Sequence, residues 1–272
     1  MAKRRRRLRN GEIRDLISLT ADELTALEVA VTNLERSGMA PEAYALRQLQ
    51  DKVLSLIPRS KTRLEPDYDA LLEAQGFIAR PGPKPRVNHQ VHAKLVQAIK
   101  ACRLVTLTHR SNYEPEGRPR SVAPLGFLSG ARRYLVAQAP SSRHGPTIKT
   151  YRVDNNLAAS VTDKYFTRPP DFNLQKFANK AFGVFQRDAE IADAIWRFAP
   201  EAAEHALAYQ FHPKQTEGRQ ADESLIMKFQ AAGALEMAWY LYQWGDKVPV
   251  IAPPELITFV AGNQRNNFPA LP

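Results

Sequence analysis

Polar side chains recur on four short segments in which polar and apolar residues alternate, namely 105–111, 120–124, 132–138 and 147–153. Successive side chains along a β-strand point to opposite faces, so residues two apart share a face. On that basis His109 shares a face with Val105 and Leu107. If the apolar members mark an inner face, the polar members converge on it. These candidate ligand-binding residues are His109, Ser111, Arg120, Tyr134, Lys149 and Tyr151.

Such a set would form a cationic, hydrogen-bonding pocket with aromatic walls. An arginine guanidinium binds phosphate through parallel hydrogen bonds, and a tyrosine ring can stack on a base. The pattern therefore predicts a site for phosphate, a nucleotide or a short oligonucleotide. The alternative is that these are ordinary residues at strand ends, with their cationic tips in water. The set as a whole favours an anion, because unpaired cations on a shared inner face are costly.

A second cationic feature lies at the start of the chain. Of the 38 Lys and Arg residues, six lie within residues 3–9. The rest of the chain has 32 basic and 28 acidic residues, which gives it a net charge of only +4. The net charge of +10 therefore describes a short basic arm more than a folded body. The arm is predicted either to bind phosphates, with a strong salt dependence, or to be a solvated tail. Its candidate phosphate contacts are Lys3, Arg4, Arg5, Arg6, Arg7 and Arg9.

No motif in the sequence predicts catalysis. The 13 glycines form neither a P-loop nor a dinucleotide-binding pattern, and His-Glu-x-x-His and Gly-x-Ser-x-Gly are absent. His89 and His92 are three residues apart, but no third metal ligand is near them in sequence. Cys102 fits the apolar stripe of a helix and is predicted to be a core residue. The sequence therefore predicts a protein that is not an enzyme and that uses no cofactor or metal.

The composition also indicates a compartment. No apolar run approaches the roughly 18–20 residues that a membrane span needs, and no hydrophobic stretch follows the basic arm. A single cysteine excludes an internal disulfide. The prediction is a cytoplasmic protein without membrane contact.

Helices and a linker are predicted before the strands that carry the polar set. Thr20 and Glu23 fit a capping box that opens a helical hairpin, with Gly38 at its turn and a short helix around 68–72 after it. A proline-rich linker at 79–87 precedes a helix with Val91 and Cys102 on its apolar side.

Short strands follow, with turn-rich segments at 114–117 and 141–146, and they predict a small antiparallel barrel or strongly bent sheet. They are predicted at 104–109, 120–127, 132–138, 147–153 and 158–162. The last third alternates strands with helices and predicts a compact α+β domain. Its strands are predicted at 194–198, 225–231 and 248–251, and its helices at 200–208, 235–244 and 254–260.

The central segments resemble the WYL domain of bacterial transcriptional regulators. Residues 98–111 look like that domain's opening helix and first strand, and Arg120 to Leu125 is similar to its Arg-x-Val-x-Pro strand. Arg133 to Ala137 lies where the family has its Trp-Tyr-Leu triplet, and Tyr151 to Asn155 resembles its Phe-Arg-Leu-Asp-Arg segment. The order and spacing of these segments carry the resemblance.

Two further regions agree with it. Residues 19–27 and the helices after them look like the helical linker of these regulators. The C-terminal part resembles the extension called WCX, at 197–201, 211–215 and 244–256. The predicted fold class is therefore α+β, with an N-terminal helical hairpin, an Sm-like antiparallel β-barrel and a WCX-like α+β domain. The predicted boundaries are a basic arm at 1–17, a helical linker region at 18–87, a WYL barrel at 88–170, a connector at 171–190 and the WCX-like extension at 191–272.

The resemblance implies a regulator of transcription, commonly a dimer, whose barrel binds a nucleic-acid-related ligand. Its ligand positions would be Ser111, Arg120, Tyr134, Tyr151 and Arg152. Arg152 has the opposite parity to Tyr151, so the resemblance alone includes it. The chain departs from the family at three of these segments, where Arg133, His109 and Asn155 replace the usual Trp, Tyr and Arg. Only about eighteen residues precede the linker helix, which is too few for the family's winged helix-turn-helix.

The prediction is thus a ligand-sensing WYL-type regulator that binds a nucleotide or oligonucleotide. DNA contact would run through residues 3–9 or through a partner protein. Two alternatives remain open. The chain could be a module that docks on another regulator, with the barrel unliganded, or a direct binder of RNA or single strands through the barrel and the arm.

Overall fold

The computed structural model of the chain describes residues 20–56, 64–76, 82–83, 88–111, 114–142 and 145–262. They divide into two compact units, one ending at Thr167 and one beginning at Arg168. The mixed helix and antiparallel-sheet content confirms the predicted α+β class. The basic arm and most of the 79–87 linker lie outside the described residues. The predicted boundaries of the five regions stay predictions.

The first unit opens with the predicted helical hairpin. Its helices are α1 (Ala21–Arg36), α2 (Ala40–Leu56), α3 (Leu64–Glu73) and α4 (His89–Ala101). The capping box is confirmed, since the Glu23 N–H donates to the Thr20 hydroxyl and the Thr20 N–H donates to the Glu23 carboxylate. Gly38 has a φ of 70° and turns the chain between α1 and α2. Cys102 is the left-handed C-cap of α4 rather than part of its buried stripe.

Five antiparallel strands follow, in the order β4-β3-β2-β1-β5 across the sheet. They are β1 (Arg103–Ser111), β2 (Glu114–Ser129), β3 (Arg133–Ser142), β4 (Gly145–Arg152) and β5 (Asn156–Tyr165). A 3₁₀ turn, Val153–Asn155, joins β4 to β5, and β5 then crosses to pair with β1. Among the described residues β4 and β5 are the edges of the sheet, so the predicted closed barrel is not found.

The hydrophobic core of this unit lies between α4 and one face of the sheet. Val91, Leu95 and Ala98 of α4 pack against Val105 and Leu107, and all five are buried. Fully burying an aliphatic side chain of this kind stabilises the fold by about 1.5–3 kcal/mol. The α4 stripe therefore decides which face of the sheet is covered.

The strands are longer than predicted, because cross-strand pairing continues through two segments that have turn composition. Residues 114–117 belong to β2, and Ser111 pairs with Glu114 beside a bulge in β1. Gly117 has a φ of 78°, which accommodates this irregular region without a side-chain penalty. Likewise β3 and β4 extend into the predicted 141–146 turn.

The second unit is built on a four-stranded antiparallel sheet with the order β7-β8-β6-β9. Its elements are α5 (Leu174–Ala178), β6 (Ala192–Phe198), α6 (Pro200–Leu207), β7 (Thr216–Arg219), β8 (Leu225–Ala231), α7 (Ala234–Leu241), β9 (Val250–Ala252) and α8 (Pro254–Gly262). The side chains of Trp196, Phe198 and Met227 are fully buried in its core. Sequence reasoning missed β7, because Thr-Glu-Gly-Arg has no apolar alternation and all four residues are exposed.

The segment before β6 is held against this unit by a partly buried carboxylate. The N–H groups of Val184 and Phe185 donate to the Glu236 carboxylate, each at 2.9 Å. A Cβ at Gly183 would lie only 2.3 Å from Glu236 Oε1, so any other residue there would displace the carboxylate. Burial raises the pKa of Glu236, although these backbone hydrogen bonds favour its ionised form.

The segment is also held by a buried histidine. The N–H of Lys214 donates to His212 Nδ1 at 3.2 Å, so Nε2 carries the hydrogen and donates to the carbonyl oxygen of Asn179 at 3.0 Å. Burial lowers the pKa of His212, which favours this neutral form.

None of the helices that the structure describes combines the length and apolar character needed to cross a membrane.

Candidate anion-binding site

The candidate site lies near the end of β1, the first half of β2, the end of β4 and the start of β5. In the register of the sheet, His109 of β1 lies opposite both Arg118 of β2 and Asn156 of β5. Arg120 lies two residues further along β2, on the same strand face as Arg118, and pairs with Leu107. The chain then passes from the end of β4 through the 3₁₀ turn to Asn156. The site is therefore set by sheet register and by a three-residue connection.

His109 contacts two polar neighbours. Its Nδ1 lies 2.8 Å from Asn156 Oδ1, and its ring meets the ring of Tyr151 edge-on at 5.3 Å between centroids. Burial lowers the pKa of His109, and the positive charges of Arg120 and Arg152 lower it further. Burial raises the pKa of Tyr151, so its hydroxyl stays protonated. A neutral imidazole and a phenol thus lie beside two arginines.

Asn156 adds a buried donor. The residue is 3% exposed, and its Nδ2 has no hydrogen-bond partner among the described residues. An unsatisfied buried N–H is unfavourable, so an acceptor placed here would be bound. Sequence reasoning missed Asn156, because the predicted start of β5 was residue 158.

An ion-pair cluster borders these residues. The Arg152 guanidinium donates to both carboxylate oxygens of Asp154, at 3.2 Å and 2.8 Å, and Arg132 Nη1 donates to Asp154 Oδ2 at 3.3 Å. Burial acts to raise the pKa of Asp154, but the hydrogen bonds and charges of both arginines outweigh it and hold that pKa below its usual value. Asp154 and Arg132 were not among the predicted site residues.

Two arginines share one carboxylate in this cluster. Arg152 and Arg132 both donate to Asp154, so these three side chains carry one net positive charge. The charges of Arg120 and Arg152 lower the pKa of His109, whereas that of Asp154 raises it. An additional anion would be attracted by the net charge of the cluster.

The structure corrects the predicted face of Tyr134. Leu135 and Tyr151 pair across the sheet and belong to the core cluster, so they share the inner face. Tyr134 pairs with Arg152 in the same ladder and therefore shares the opposite face with it. The prediction used Val136 to mark the inner face, but β3 has buried residues on both faces. The structure thus places Tyr134 beside Arg152, which the strand parity had excluded from the set.

The remaining predicted residues lie further out. Lys149 is exposed and lies opposite Ala137 on the edge strand. Ser111 is half-buried beyond the bulge that separates it from His109. The structure thus brings His109 and Tyr151 into contact, and Arg120 and Arg152 lie near enough to act on the pKa of His109. Tyr134 lies beside Arg152, on the strand face opposite to Tyr151. The predicted arm contacts at residues 3–9 lie outside the described part of the chain.

The arrangement offers binding groups rather than an identified nucleophile or metal centre. Within the described ranges, no group of three or more His, Cys, Asp or Glu side chains could hold a metal ion. His92 is buried near Phe127, whereas His89 is exposed. A guanidinium, an imidazole, a phenol and a buried amide can together bind an anion that also presents a ring or a hydroxyl group.

Comparison with known proteins gives a family match and distant similarities to solved structures. No curated protein matches this chain. Proteasome accessory factor B/C (PafBC) of Arthrobacter aurescens is 17% identical, with a TM-score of 0.33 over 90% of this chain and 35% of the PafBC chain. A CRISPR Cas-related protein is 13% identical, with a TM-score of 0.47 over 78% of this chain. This chain covers 58% of that protein and so spans less than two thirds of either structure.

The family match falls in the second unit. It confirms the predicted WCX resemblance for the segment that runs from β6 to α8. Residues 192–262 of this chain match the WCX domain.

Proposed function

We propose that this protein is a ligand-sensing transcriptional regulator of the WYL type that binds a nucleotide or another nucleic-acid-related anion at the site around His109. The observation that carries the proposal is that two arginines, Arg152 and Arg132, share the one carboxylate of Asp154 in the turn that leads to Asn156, the hydrogen-bond partner of His109. The WCX match at 192–262 and the WYL-like order of the preceding segments support a regulator of this type.

The ligand would use the site as follows. Its phosphate accepts hydrogen bonds from Arg152 and Arg120, and the buried Nδ2 of Asn156 donates to an oxygen of the same group. A base or sugar contacts Tyr134, which lies beside Arg152 in the register. In the same proposal the five-stranded sheet is an Sm-like fold, the protein acts as a cytoplasmic homodimer, and DNA phosphates are contacted by residues 3–9.

Binding of nucleic-acid-related anions tests this function. We expect the full chain to bind at least one of three probes, namely mononucleotides, cyclic dinucleotides or short single-stranded oligonucleotides, in isothermal titration calorimetry. Arg120→Ala should weaken that binding about tenfold, because it removes one charged hydrogen bond. Lys164→Ala is the matched control, since it removes one positive charge from the exposed far end of β5.

The outcomes separate the candidate functions. Equal losses in the Arg120 and Lys164 variants would indicate general charge attraction and would refute a site at the strand ends. Binding that requires RNA would favour the direct RNA binder. Absence of binding to all three probes, with a protein partner that co-purifies, would favour the docking module.

Anion binding should depend on pH through His109. Burial and two arginines hold its pKa below the ordinary value of 6.5, so the imidazole is neutral in the free protein at pH 7. A bound anion stabilises the imidazolium, so binding takes up a proton and the affinity rises as the pH falls. We expect binding about three- to tenfold tighter at pH 6 than at pH 8, within the tenfold per pH unit that one linked proton allows.

The probe for this measurement is an oligonucleotide without terminal phosphates, because its phosphodiesters do not titrate in this range. His109→Gln should remove most of the pH dependence while leaving binding at pH 8 nearly unchanged. A pH dependence that persists in His109→Gln would show that another group takes up the proton.

A further inference from the structure

A buried ion pair joins the helical hairpin to the sheet. Arg133 Nη1 lies 2.6 Å from Glu42 Oε1, at the first turn of α2, and the Arg133 side chain is only 10% exposed. The Arg133 guanidinium also stacks over the ring of Phe127, at 4.6 Å from its centroid. Arg133 occupies the position at which the WYL triplet has tryptophan, so this chain places a cation where the family has an apolar ring.

Several buried polar atoms in and around this ion pair lack hydrogen-bond partners among the described residues. His92 stacks on the same Phe127 ring at 5.2 Å and lies 3.9 Å from Glu42. Arg133 Nε and Nη1, Glu42 Oε2 and His92 Nε2 are buried and have no hydrogen-bond partner in the described part of the chain, so the short contact of Nη1 with Glu42 is an ion pair without hydrogen-bond geometry. Leaving buried polar atoms unpaired is unfavourable, so this junction is less stable than its short ion pair alone would indicate.

The same short stretch of chain also borders the anion site. Arg132 donates to Asp154, and Tyr134 lies opposite Arg152, which holds Asp154 through two hydrogen bonds. Arg133 lies between these two residues and points to the other side, toward α2. Residues 132–134 therefore contact the anion site and the hairpin at once, on alternate side chains.

We propose that residues 132–134 couple the anion site to the helical hairpin, so that an anion at Arg152 loosens the contact between Arg133 and Glu42. The proposal rests on the proposed function for the nature of the ligand. In the described structure Asp154 acts as the internal counter-ion of Arg152 and Arg132, and the hairpin is held at the same time. In the proposal this arrangement is the anion-free state, and the anion-bound state loses both contacts.

The link follows from competition for one guanidinium. An anion that binds Arg152 displaces Asp154, and Arg132 then loses the carboxylate that positions it. Arg133 is the next residue, so a backbone shift at Arg132 moves the guanidinium that lies 2.6 Å from Glu42 Oε1. This coupling is reciprocal. If the anion weakens the contact of the hairpin by a given factor, loss of that contact raises the affinity for the anion by the same factor.

Hydrogen exchange on the full chain tests the coupling without any ligand. Asp154→Asn should speed amide exchange in α1 and α2 at least threefold, while the amides of β1 and α4 keep their protection. The matched control is Asp163→Asn, because Asp163 pairs with Arg103 at 3.3 Å at the other end of β5. Unchanged exchange in the hairpin, or equal acceleration in both variants, would overturn the coupling.

The reverse direction uses a binding probe. Glu42→Gln should raise the affinity for a single-stranded oligonucleotide about three- to tenfold, whereas Glu35→Gln should not change it. Glu35 also binds an arginine of the hairpin, Arg47 at 3.2 Å, but it lies away from β3 on an exposed surface. Equal affinities of Glu42→Gln and the unmodified protein would contradict the proposal.

The two failures can be told apart. If no probe binds the unmodified protein, the anion function fails, and the exchange of Asp154→Asn alone still decides the coupling. If the probe binds and depends on Arg120, but Glu42→Gln leaves the affinity unchanged and Asp154→Asn leaves the exchange of the hairpin unchanged, the coupling fails and the binding function stands.

Discussion

Gly183→Ala is expected to destabilise the C-terminal unit by about 2–4 kcal/mol, the largest effect predicted for a single methyl group in this protein. The added Cβ would lie 2.3 Å from Glu236 Oε1 and 2.5 Å from its carboxyl carbon. The carboxylate must then withdraw from the N–H groups of Val184 and Phe185. A partly buried carboxylate that loses its donors is left with a desolvation cost that these hydrogen bonds no longer offset.

Tryptophan fluorescence during urea unfolding measures this effect. All three tryptophans, Trp196, Trp239 and Trp244, lie in the C-terminal unit, so the signal reports that unit. Gly218→Ala is the matched control, because its Cβ would meet only the end of a flexible side chain at 3.9 Å. We expect its free energy of unfolding to change by no more than about 0.5 kcal/mol. Equal stability of the two variants would show that the carboxylate does not hold this segment.

The second large effect is a pair of opposite changes in anion affinity. Arg152→Ala should weaken binding of a single-stranded oligonucleotide about 10- to 100-fold, since it removes a guanidinium that makes charged hydrogen bonds. Asp154→Asn should strengthen it about tenfold, because the internal carboxylate no longer competes for Arg152 and no longer repels the phosphate. Both affinities are measured by calorimetry at one salt concentration, because screening alters each of them.

The opposite signs distinguish a binding site from a structural ion pair. If Arg152 and Asp154 only stabilise the turn between β4 and β5, both variants lower the melting temperature and change affinity in the same direction. If they form the site, both variants lower the melting temperature but only Arg152→Ala loses binding. Asp163→Asn again serves as the control for a carboxylate removed elsewhere on the sheet.

The elements of this chain were largely predictable from local patterns. The Thr20 capping box, the apolar stripe of α4 and the alternation along β1 depend on residues close together in sequence. The strand ends were not predictable, because a segment such as 114–117 has turn composition and becomes a strand only by pairing with β1. The same holds for β7, which exists through its pairing with β8.

The candidate site was only partly predictable for a related reason. His109, Arg120 and Tyr151 follow from strand parity, and the structure brings them together. Tyr134 and Arg152 share the face opposite to Tyr151. Parity did not predict this, because β3 has buried residues on both faces and its apolar residues do not mark one face. Asp154 and Asn156 entered the site through the 3₁₀ turn, whose direction no local spacing indicates.

The sequence by itself determined the kinds of element, their order along the chain and the concentration of cations on the central strands. The tertiary structure decided which side chains meet. In it Asp154 pairs with Arg152 and Arg132, and Glu42 pairs with Arg133. The Glu236 carboxylate accepts hydrogen bonds from the backbone beside Gly183. The physical reason is that helix and strand periods depend on neighbouring residues, whereas these contacts depend on register, bulges and packing between segments far apart in the chain.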